Sequence, residues 1–385
     1  MVNFSFFTCP AIYFGAGQSK QLPSLAAQFG SKVLLVTGAN ALEKSGYLVS
    51  LQSTFEQMEM SCNTIKIGKE PSPEFIDENC DLFRSSPPDV IIGIGGGSVL
   101  DAAKAISAMM KKNDSVIHYL EGIGTKKYDG CKVPLIAVPT TAGTGSESTK
   151  NAVLGREGRD GFKSSLRHDS LIPNIAVIDP VLMLSCPSHI TAACGLDAFT
   201  QLLESYLSTK SNSMTDALAI SGIEHCKNNL VAAASYGSQD VDVRSAMAYA
   251  ALLSGMTLAN AGLGVVHGFA SSIGGRYAIP HGLVCGILLP VATQINIAAL
   301  KRSRNSLFLE KYARVAQILS SCNTAKAEDL VEILKEWNRI LKIPGLQQTT
   351  HDTIDIEQIA VSTGQKNNPV SLTKQELKEI LVSSL

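Results

Sequence analysis

Charge is scarce where two of this chain's histidines lie. Between Ser245 and Leu300 the only formal charge is Arg276, and His267 and His281 both fall inside that stretch. Paired cysteine motifs are missing as well. The nine cysteines (9, 62, 80, 131, 186, 194, 226, 285 and 322) are scattered without a CxxC pair. That excludes zinc-ribbon spacing, and an odd count without a framework favours reduced thiols in the cytoplasm. No glycine is followed by Lys and then Ser or Thr, which excludes a Walker phosphate loop. No block of five like charges occurs, and 33 basic residues stand against 34 acidic ones for a net charge of −1. Nucleic acid and strongly anionic surfaces are therefore poor partners; small molecules are better ones. The opening residues, MVNFSFFTCPAIYFG, lack a basic leader followed by a full apolar region, so no signal peptide is expected. The uncharged run at 245–275 is long enough to span a bilayer. Asn260, His267 and several Gly and Ser interrupt it, however, and the flanking loops show no basic bias, so it reads as buried helices of a soluble core.

What is present is apolar. The 385 residues are 45% hydrophobic with a mean hydropathy of +0.14, enough for a large core. That length suggests about two or three domains at roughly 150 residues each. In the first half, β-branched runs at 31–38, 62–68, 88–96, 133–140 and 174–180 alternate with helical patterns near 40–60, 73–86 and 99–111. Such alternation implies a parallel sheet covered on both faces. From about 187 the pattern turns helical, at 188–208, 213–234 and 242–260, with no further strand. The expected organisation is a doubly wound α/β domain over 1–185 and an all-helical domain over 186–385, with Pro180 and Pro187 bracketing the junction.

Two glycine-rich loops close strands of the first domain. Gly93, Gly95, Gly96, Gly97 and Ser98 end the third strong strand and open the helix SVLDAAKAI. Glycines between a strand and a helix N-terminus let backbone N–H groups approach a pyrophosphate, whose charge the helix dipole favours. The dinucleotide fingerprint GxGxxG is not met, since its third glycine falls on Ser98. A tight turn without a ligand explains the same residues. After the strand at 133–139 comes TTAGTGSES, with hydroxyls at Thr140, Thr141, Thr144 and Ser146. Ligands bind across the carboxyl ends of strands in open α/β sheets, so the two loops are expected to converge there.

Asp197, in the apolar run TAACGLDAFTQLLE, joins His267 and His281 as a candidate metal set. One carboxylate and two imidazoles suit Fe²⁺ or Zn²⁺ with a position left for substrate. Each residue alone has an ordinary explanation: a salt-bridged carboxylate, a satisfied core histidine, a turn histidine between Pro280 and Gly282.

The segments GIGGGSVLDAAKAI, PTTAGTGSES, GLDAFTQLLESY and GVVHGFASSIGGRYAIPHG, together with EPSP at 70–73 and NIAVIDP, resemble in order and spacing the iron-dependent (group III) alcohol dehydrogenases. The resemblance runs over nearly the whole chain. It implies a dinucleotide-binding α/β domain and an all-α metal domain, the dehydroquinate synthase-like arrangement, with a cleft for NAD or NADP and a divalent metal. The expected metal is Fe²⁺, with Zn²⁺ as the alternative.

Carried over by position, the metal aspartate falls on Asp197 and two metal histidines on His267 and His281, which are thereby the catalytic candidates. A further ligand histidine falls on Gln201, and a histidine beside the nicotinamide falls on Ser271. Gln201 offers a weaker neutral donor, and Ser271 removes an ionisable proton relay. Alkoxide protons would then leave through water or cofactor ribose hydroxyls. Asp101 is expected to order the first turn of the glycine-loop helix. Lys163, Asn151 and Thr144 match cofactor-side positions. Gly38 ends the first strand where many NAD-preferring relatives carry Asp, so repulsion of a 2′-phosphate is absent; Lys44 is the nearby cation.

The implied activity is reversible, metal-assisted hydride transfer between nicotinamide and a small alcohol or carbonyl. Glycerol dehydrogenases, with one Asp, two His and usually zinc, resemble this reduced ligand set, and maleylacetate reductases show that related enzymes also work without metal. A dehydroquinate-synthase-like lyase would need a basic substrate pocket that the charge-poor second domain does not offer. A nucleotide-binding relative without catalysis is the remaining alternative, motivated by Gln201 and Ser271. The resemblance also implies a homodimer or larger homo-oligomer, and AIYFG at 11–15 reads as a strand able to pair across it.

Overall fold

The computed structural model describes residues 3–7, 9–39, 41–156 and 161–385. Two compact units divide the chain: an α/β unit, Phe7–Thr141 with Ser146–Cys186, and a helical unit, chiefly Pro187–Leu385 together with Ala142–Gly145.

The α/β unit is built on six parallel strands: β1 (Ala11–Phe14), β2 (Lys32–Gly38), β3 (Ser61–Ile67), β4 (Val90–Gly95), β5 (Leu135–Pro139) and β8 (Ile175–Ile178), in the order β1-β8-β5-β4-β2-β3. Helices α1 (Leu22–Ala27), α2 (Ala41–Lys44), α3 (Tyr47–Gln57), α4 (Pro73–Phe83) and α5 (Gly97–Met109) fall between the strands. Successive residues of β2 feed opposite cores. Leu34 and Val36 pack in one with Ile76 and Ala102; Val33 and Leu35 pack in the other with Leu22, Leu51 and Phe55. A strand buried on both faces needs apolar residues throughout, which is why these strands read as continuous runs. Pro71 and Pro73 do not break α4. Ser72 caps it, its side chain accepting from the Phe75 N–H, and Pro73 sits in the first turn, where a missing N–H costs no helical bond.

The strand read in AIYFG forms β1, which pairs with β8 from Ala11 opposite Ile175 to Phe14 opposite Ile178 and stands at the edge of the sheet. An antiparallel hairpin, β6 (Asn151–Arg156) with β7 (Phe162–Arg167), was not foreseen. Its inward residues Ala152, Leu154 and Leu166 are fully buried against the α5 core, so a short period-two signal was present but masked by Gly155 and the polar KSS.

The helical unit opens with α6 (Ser188–Tyr206), α7 (Ser213–Ala233), α8 (Val241–Ala261), α9 (Val265–Gly274) and α10 (His281–Arg302). It closes with α11 (Ser306–Ser320), α12 (Asp329–Ile340), α13 (Ile356–Ser362) and α14 (Lys374–Val382). The apolar run at 245–275 is not one span: α8 and α9 meet at a 98° bend. Gly262 makes the corner at φ +71°, a left-handed conformation that a side chain resists, and a Cβ there would meet the Asn367 side chain at 2.3 Å. Helix α10 is also long and apolar, and 78% of its apolar stretch is buried inside the protein.

The sheet and α5 are held together by missing side chains. None of Gly93, Gly95 or Gly96 has a positive φ. Instead a Cβ on Gly93 would lie 2.7 Å from the Ala103 Cβ, and one on Gly95 would lie 2.5 Å from the Val99 side chain. The Gly95→Ala variant is expected to lose about 1–3 kcal/mol of stability, read as a lower unfolding temperature by calorimetry. Gly95→Ala/Val99→Ala should regain part of that loss; equal melting of Gly95→Ala and wild type would refute the close-packing account.

Candidate metal centre and nucleotide loop

Helix α6 carries the buried Asp197, and helix α10 brings partners to it. Proline 280 sets the start of α10, so His281 stands at its first position and Cys285 one turn later on the same face. The two helices can approach because two positions lack side chains. A Cβ on Gly282 would lie 2.3 Å from the Ala193 carbonyl, and one on Gly286 would lie 2.5 Å from the Leu196 side chain. His281 Nε2 is thereby placed 3.8 Å from Asp197 Oδ1.

His267 arrives from α9, and its orientation is imposed by Glu204 of α6. The Glu204 carboxylate accepts from the Val266 N–H at 2.7 Å, the His267 N–H at 3.4 Å and His267 Nδ1 at 2.6 Å. A carboxylate at a helix N-terminus satisfies N–H groups that have no partner within the helix and complements its dipole. With Nδ1 engaged by Glu204, His267 turns Nε2 inward, to 3.2 Å from Asp197 Oδ1 and 3.8 Å from Cys285 Sγ. Fixing one ring nitrogen through a carboxylate is how proteins present the other to a metal. The donor atoms of Asp197, His267, His281 and Cys285 all lie within 4.8 Å of one another. A buried set of carboxylate, imidazole and thiol donors this compact fits one divalent ion.

Electrostatics in the ion-free cluster follow from burial and proximity. Burial works against a charged His267, but Cys285, Asp197 and Glu204 around it hold its imidazolium well above the ordinary histidine range. Burial likewise opposes the Asp197 charge, yet the His267 hydrogen bond and the neighbouring His281 keep its carboxyl below the usual carboxylate range. Burial pushes the Cys285 thiol up to about 11.

The sequence-derived candidates are thus brought together in three cases, Asp197, His267 and His281. Gln201, one turn after Asp197, is buried, and its side-chain oxygen accepts from Ser254 Oγ at 2.9 Å. Ser271 is exposed on α9, one turn beyond His267. Cys285 and Glu204 were missed. The spacing His281–Cys285, one helical turn, was a readable signal for the first; nothing local marks Glu204, whose partners lie 62 and 63 residues away.

In the α/β unit, chain order reverses between β2 and β4: β3 follows β2 on one side and β4 lies on the other. Open α/β sheets bind ligands at such a switch point, beyond the carboxyl ends of the strands. Gly38 and Gly95 end those two strands. Helix α5 begins there on Gly96, and no side chain caps its first N–H groups at Gly97 and Ser98, an arrangement suited to an anion. The second loop is tied alongside, the Thr140 N–H donating to the Gly95 carbonyl at 2.9 Å and the Thr141 side chain facing Gly96. Thr144 belongs to the short segment Ala142–Gly145 that packs with the helical unit, where Gly143 lies against Cys194 and Gly145 against α8.

Asp101 does not order the turn of its own helix. It accepts from Ser146 Oγ at 2.7 Å and from the Val153 N–H at 3.1 Å, tying the second loop and the hairpin to α5. Beside it the fully buried Lys104 donates to Ser146 Oγ, Thr149 Oγ1 and the Asn151 carbonyl. Burial pushes Lys104 down to about 8 against the opposing pull of Asp101, and pushes the neighbouring Glu147 up to about 7. Asn151 therefore meets Lys104 through its backbone, and Lys163 pairs with Glu70 at 2.6 Å.

Two outcomes test the metal centre. Glu204→Ala, which frees His267 to rotate, is expected to weaken zinc binding about 10–100-fold, measured by competition with a chromophoric chelator. Binding also requires a neutral His267, whose proton is held tightly in the ion-free protein. Affinity should therefore rise with pH by about tenfold per unit for each proton displaced. Isothermal titration in buffers of different ionisation enthalpy reads the released proton; a pH-independent affinity between 6 and about 8 would contradict it.

Comparisons with known proteins identify the family of the chain. Residues 9–180 match the family model for iron-containing alcohol dehydrogenase, and residues 191–385 match the C-terminal model of the Fe-containing alcohol dehydrogenase family. The NAD-dependent methanol dehydrogenase of Bacillus methanolicus is 29% identical, covering 99% of this chain and 100% of its own length. Alcohol dehydrogenase 4 of Saccharomyces cerevisiae is 31% identical over 98% of this chain and 97% of its own. The NADPH-dependent butanol dehydrogenase of Clostridium saccharobutylicum is also 31% identical, over 97% and 96%. Among solved structures, the alcohol dehydrogenase from Oenococcus oeni superposes with a TM-score of 0.87 at 29% identity, covering 100% of both chains. Matched by family models in both halves and by relatives along nearly its whole length, the chain belongs to the iron-containing alcohol dehydrogenase family of oxidoreductases.

Proposed function

We propose that this protein is an NAD(P)-dependent alcohol dehydrogenase or aldehyde reductase, moving a hydride reversibly between the nicotinamide and the carbonyl carbon of a small alcohol or aldehyde. The observation that carries this reading is the convergence of Asp197, His267 and His281 in a charge-poor helical core. Those three residues would hold the divalent ion, with Fe²⁺ or Zn²⁺ compatible with their chemistry. When bound, such an ion supplies Lewis-acid polarisation of the substrate oxygen.

The chain's own contributions are positional and electrostatic. Glu204 keeps the His267 ring oriented, and burial around Asp197 limits water and strengthens every charge interaction there. Gly96, Gly97 and Ser98 present the uncapped start of α5 to the cofactor pyrophosphate, while Thr140, Thr141 and Ser146 flank it. Gly38 places no carboxylate against the adenosine ribose, so a 2′-phosphate meets no repulsion and NADPH is accepted alongside NADH. Ser271, where the family histidine would stand, leaves the substrate proton to water or ribose hydroxyls. Gln201 stands in place of a ligand imidazole and is engaged by Ser254, which favours, as a second reading, a polyol dehydrogenase with a one-Asp, two-His ligand set like that of glycerol dehydrogenases.

Protein prepared anaerobically, loaded with Fe²⁺ or Zn²⁺ and assayed by NAD(P)H absorbance over aldehydes, alcohols and polyols should show turnover that a chelator abolishes. Asp197→Ala is expected to remove several kcal/mol of transition-state stabilisation, or about 10³-fold in kcat/KM. Gly38→Asp should lower kcat/KM with NADPH at least about tenfold relative to NADH, through repulsion of the 2′-phosphate. Absence of turnover with every metal and cofactor would sink the proposal.

A further inference from the structure

We infer that Cys285 is a fourth, thiolate ligand of the metal centre, taking the coordination position that Gln201 leaves open and turning the site toward zinc. The inference rests on the metal reading above and adds a donor to it.

The donors are spaced to converge on one ion to which substrate could still add as a fifth ligand. Zinc bonds of about 2.0–2.1 Å to nitrogen and oxygen and about 2.3 Å to sulfur set neighbouring donors roughly 3.3–3.6 Å apart around a tetrahedron. The observed edges are 3.2 Å from His267 Nε2 to Asp197 Oδ1, 3.8 Å from His281 Nε2 to the same oxygen, and 3.8 Å from His267 Nε2 to Cys285 Sγ. These are three of the six edges; all four donors lie within 4.8 Å of one another, so side-chain adjustment would gather them on one ion. Cys285 is fully buried, and its place in α10 is fixed by the close approach of Gly282 and Gly286 to α6, one on each side of it in sequence. The amide oxygen of Gln201 already accepts from Ser254, whereas the sulfur faces the ring nitrogen that faces Asp197.

Ligation replaces the thiol proton: the S–H bond breaks, the proton leaves to solvent, and a sulfur–metal bond forms with no change of oxidation state. A thiolate is a softer donor than the imidazole it substitutes. Combined with the greater intrinsic affinity of zinc over ferrous iron for a given donor set, it selects Zn²⁺. In this chain the family's ligand carboxylate and two imidazoles would be kept while the metal preference changes.

Cobalt substitution of the full-length protein tests this without reference to turnover. The chelator-stripped protein, given one equivalent of Co²⁺ anaerobically, is expected to show an intense near-ultraviolet thiolate-to-cobalt band. Cys285→Ser and Cys285→Ala should lose that band while keeping visible cobalt absorption from the other three ligands. Both should bind zinc more than about 100-fold more weakly, beyond the loss seen when only a supporting residue is removed. In an equimolar Fe²⁺ and Zn²⁺ mixture the wild type should retain mainly zinc, and Cys285→Ser should retain a smaller excess of zinc over iron. Should the variants fail to fold, X-ray absorption of zinc-loaded wild type gives the same answer, a sulfur neighbour at about 2.3 Å being expected. Cobalt bound with no sulfur band, or a band that survives in both variants, overturns Cys285 as a ligand and leaves the three-residue centre standing. No cobalt bound at all overturns both readings.

Discussion

Burying donors without burying unpaired polarity is the constraint that organises the helical unit, and the Glu204 carboxylate meets it. It satisfies two N–H groups at the start of α9 and the Nδ1 of His267 at once. Each of those groups, buried and unsatisfied, would cost on the order of 1–3 kcal/mol. Because the carboxylate is shared between helix and ring, the direction of α9 and the orientation of its histidine are fixed together. The inward face of His267 then meets Asp197 and Cys285 with His281 beside them, which places the candidate metal site in a region with almost no other charge.

Glycine does the complementary work of letting backbone elements approach. In the α/β unit, Gly93 and Gly95 bring α5 onto β4, so the uncapped helix start lies beside the strand end. In the helical unit, Gly282 and Gly286 bring α10 onto α6, so His281 and Cys285 reach Asp197. Neither pair needs an unusual backbone conformation; what matters is the volume of a methyl group. Close packing explains why a glycine-rich string can be read as a phosphate loop and as a packing device; the packing role is seen at Gly93 and Gly95.

The nucleotide loop rests on buried charge. Asp101 and Lys104, three residues apart in α5, reach across to the second loop and the β6–β7 hairpin, making Ser146 a shared partner. Such a network stabilises only when every member is satisfied. From the sequence Asp101 is expected to order its own helix, and nothing there marks Lys104 as its buried partner. Its burial depends on a hairpin whose strands carried too weak an alternation to be recognised.

The sequence by itself determined the sheet strands, the helical second half and the chain order of Asp197, His267 and His281. Those are consequences of local periodicity, of turn residues and of a charge-free stretch, all encoded within a few residues of one another. The early strand at 11–15 was also legible, but its partner, β8, was not, because pairing joins residues 164 apart and is settled by sheet edges rather than local pattern. Only the tertiary structure decided that Gln201 is engaged by Ser254, that Cys285 faces the histidines, and that Glu204 holds the ring between them. Side-chain direction depends on which helices pack against which, and that follows from long-range burial that no short segment carries.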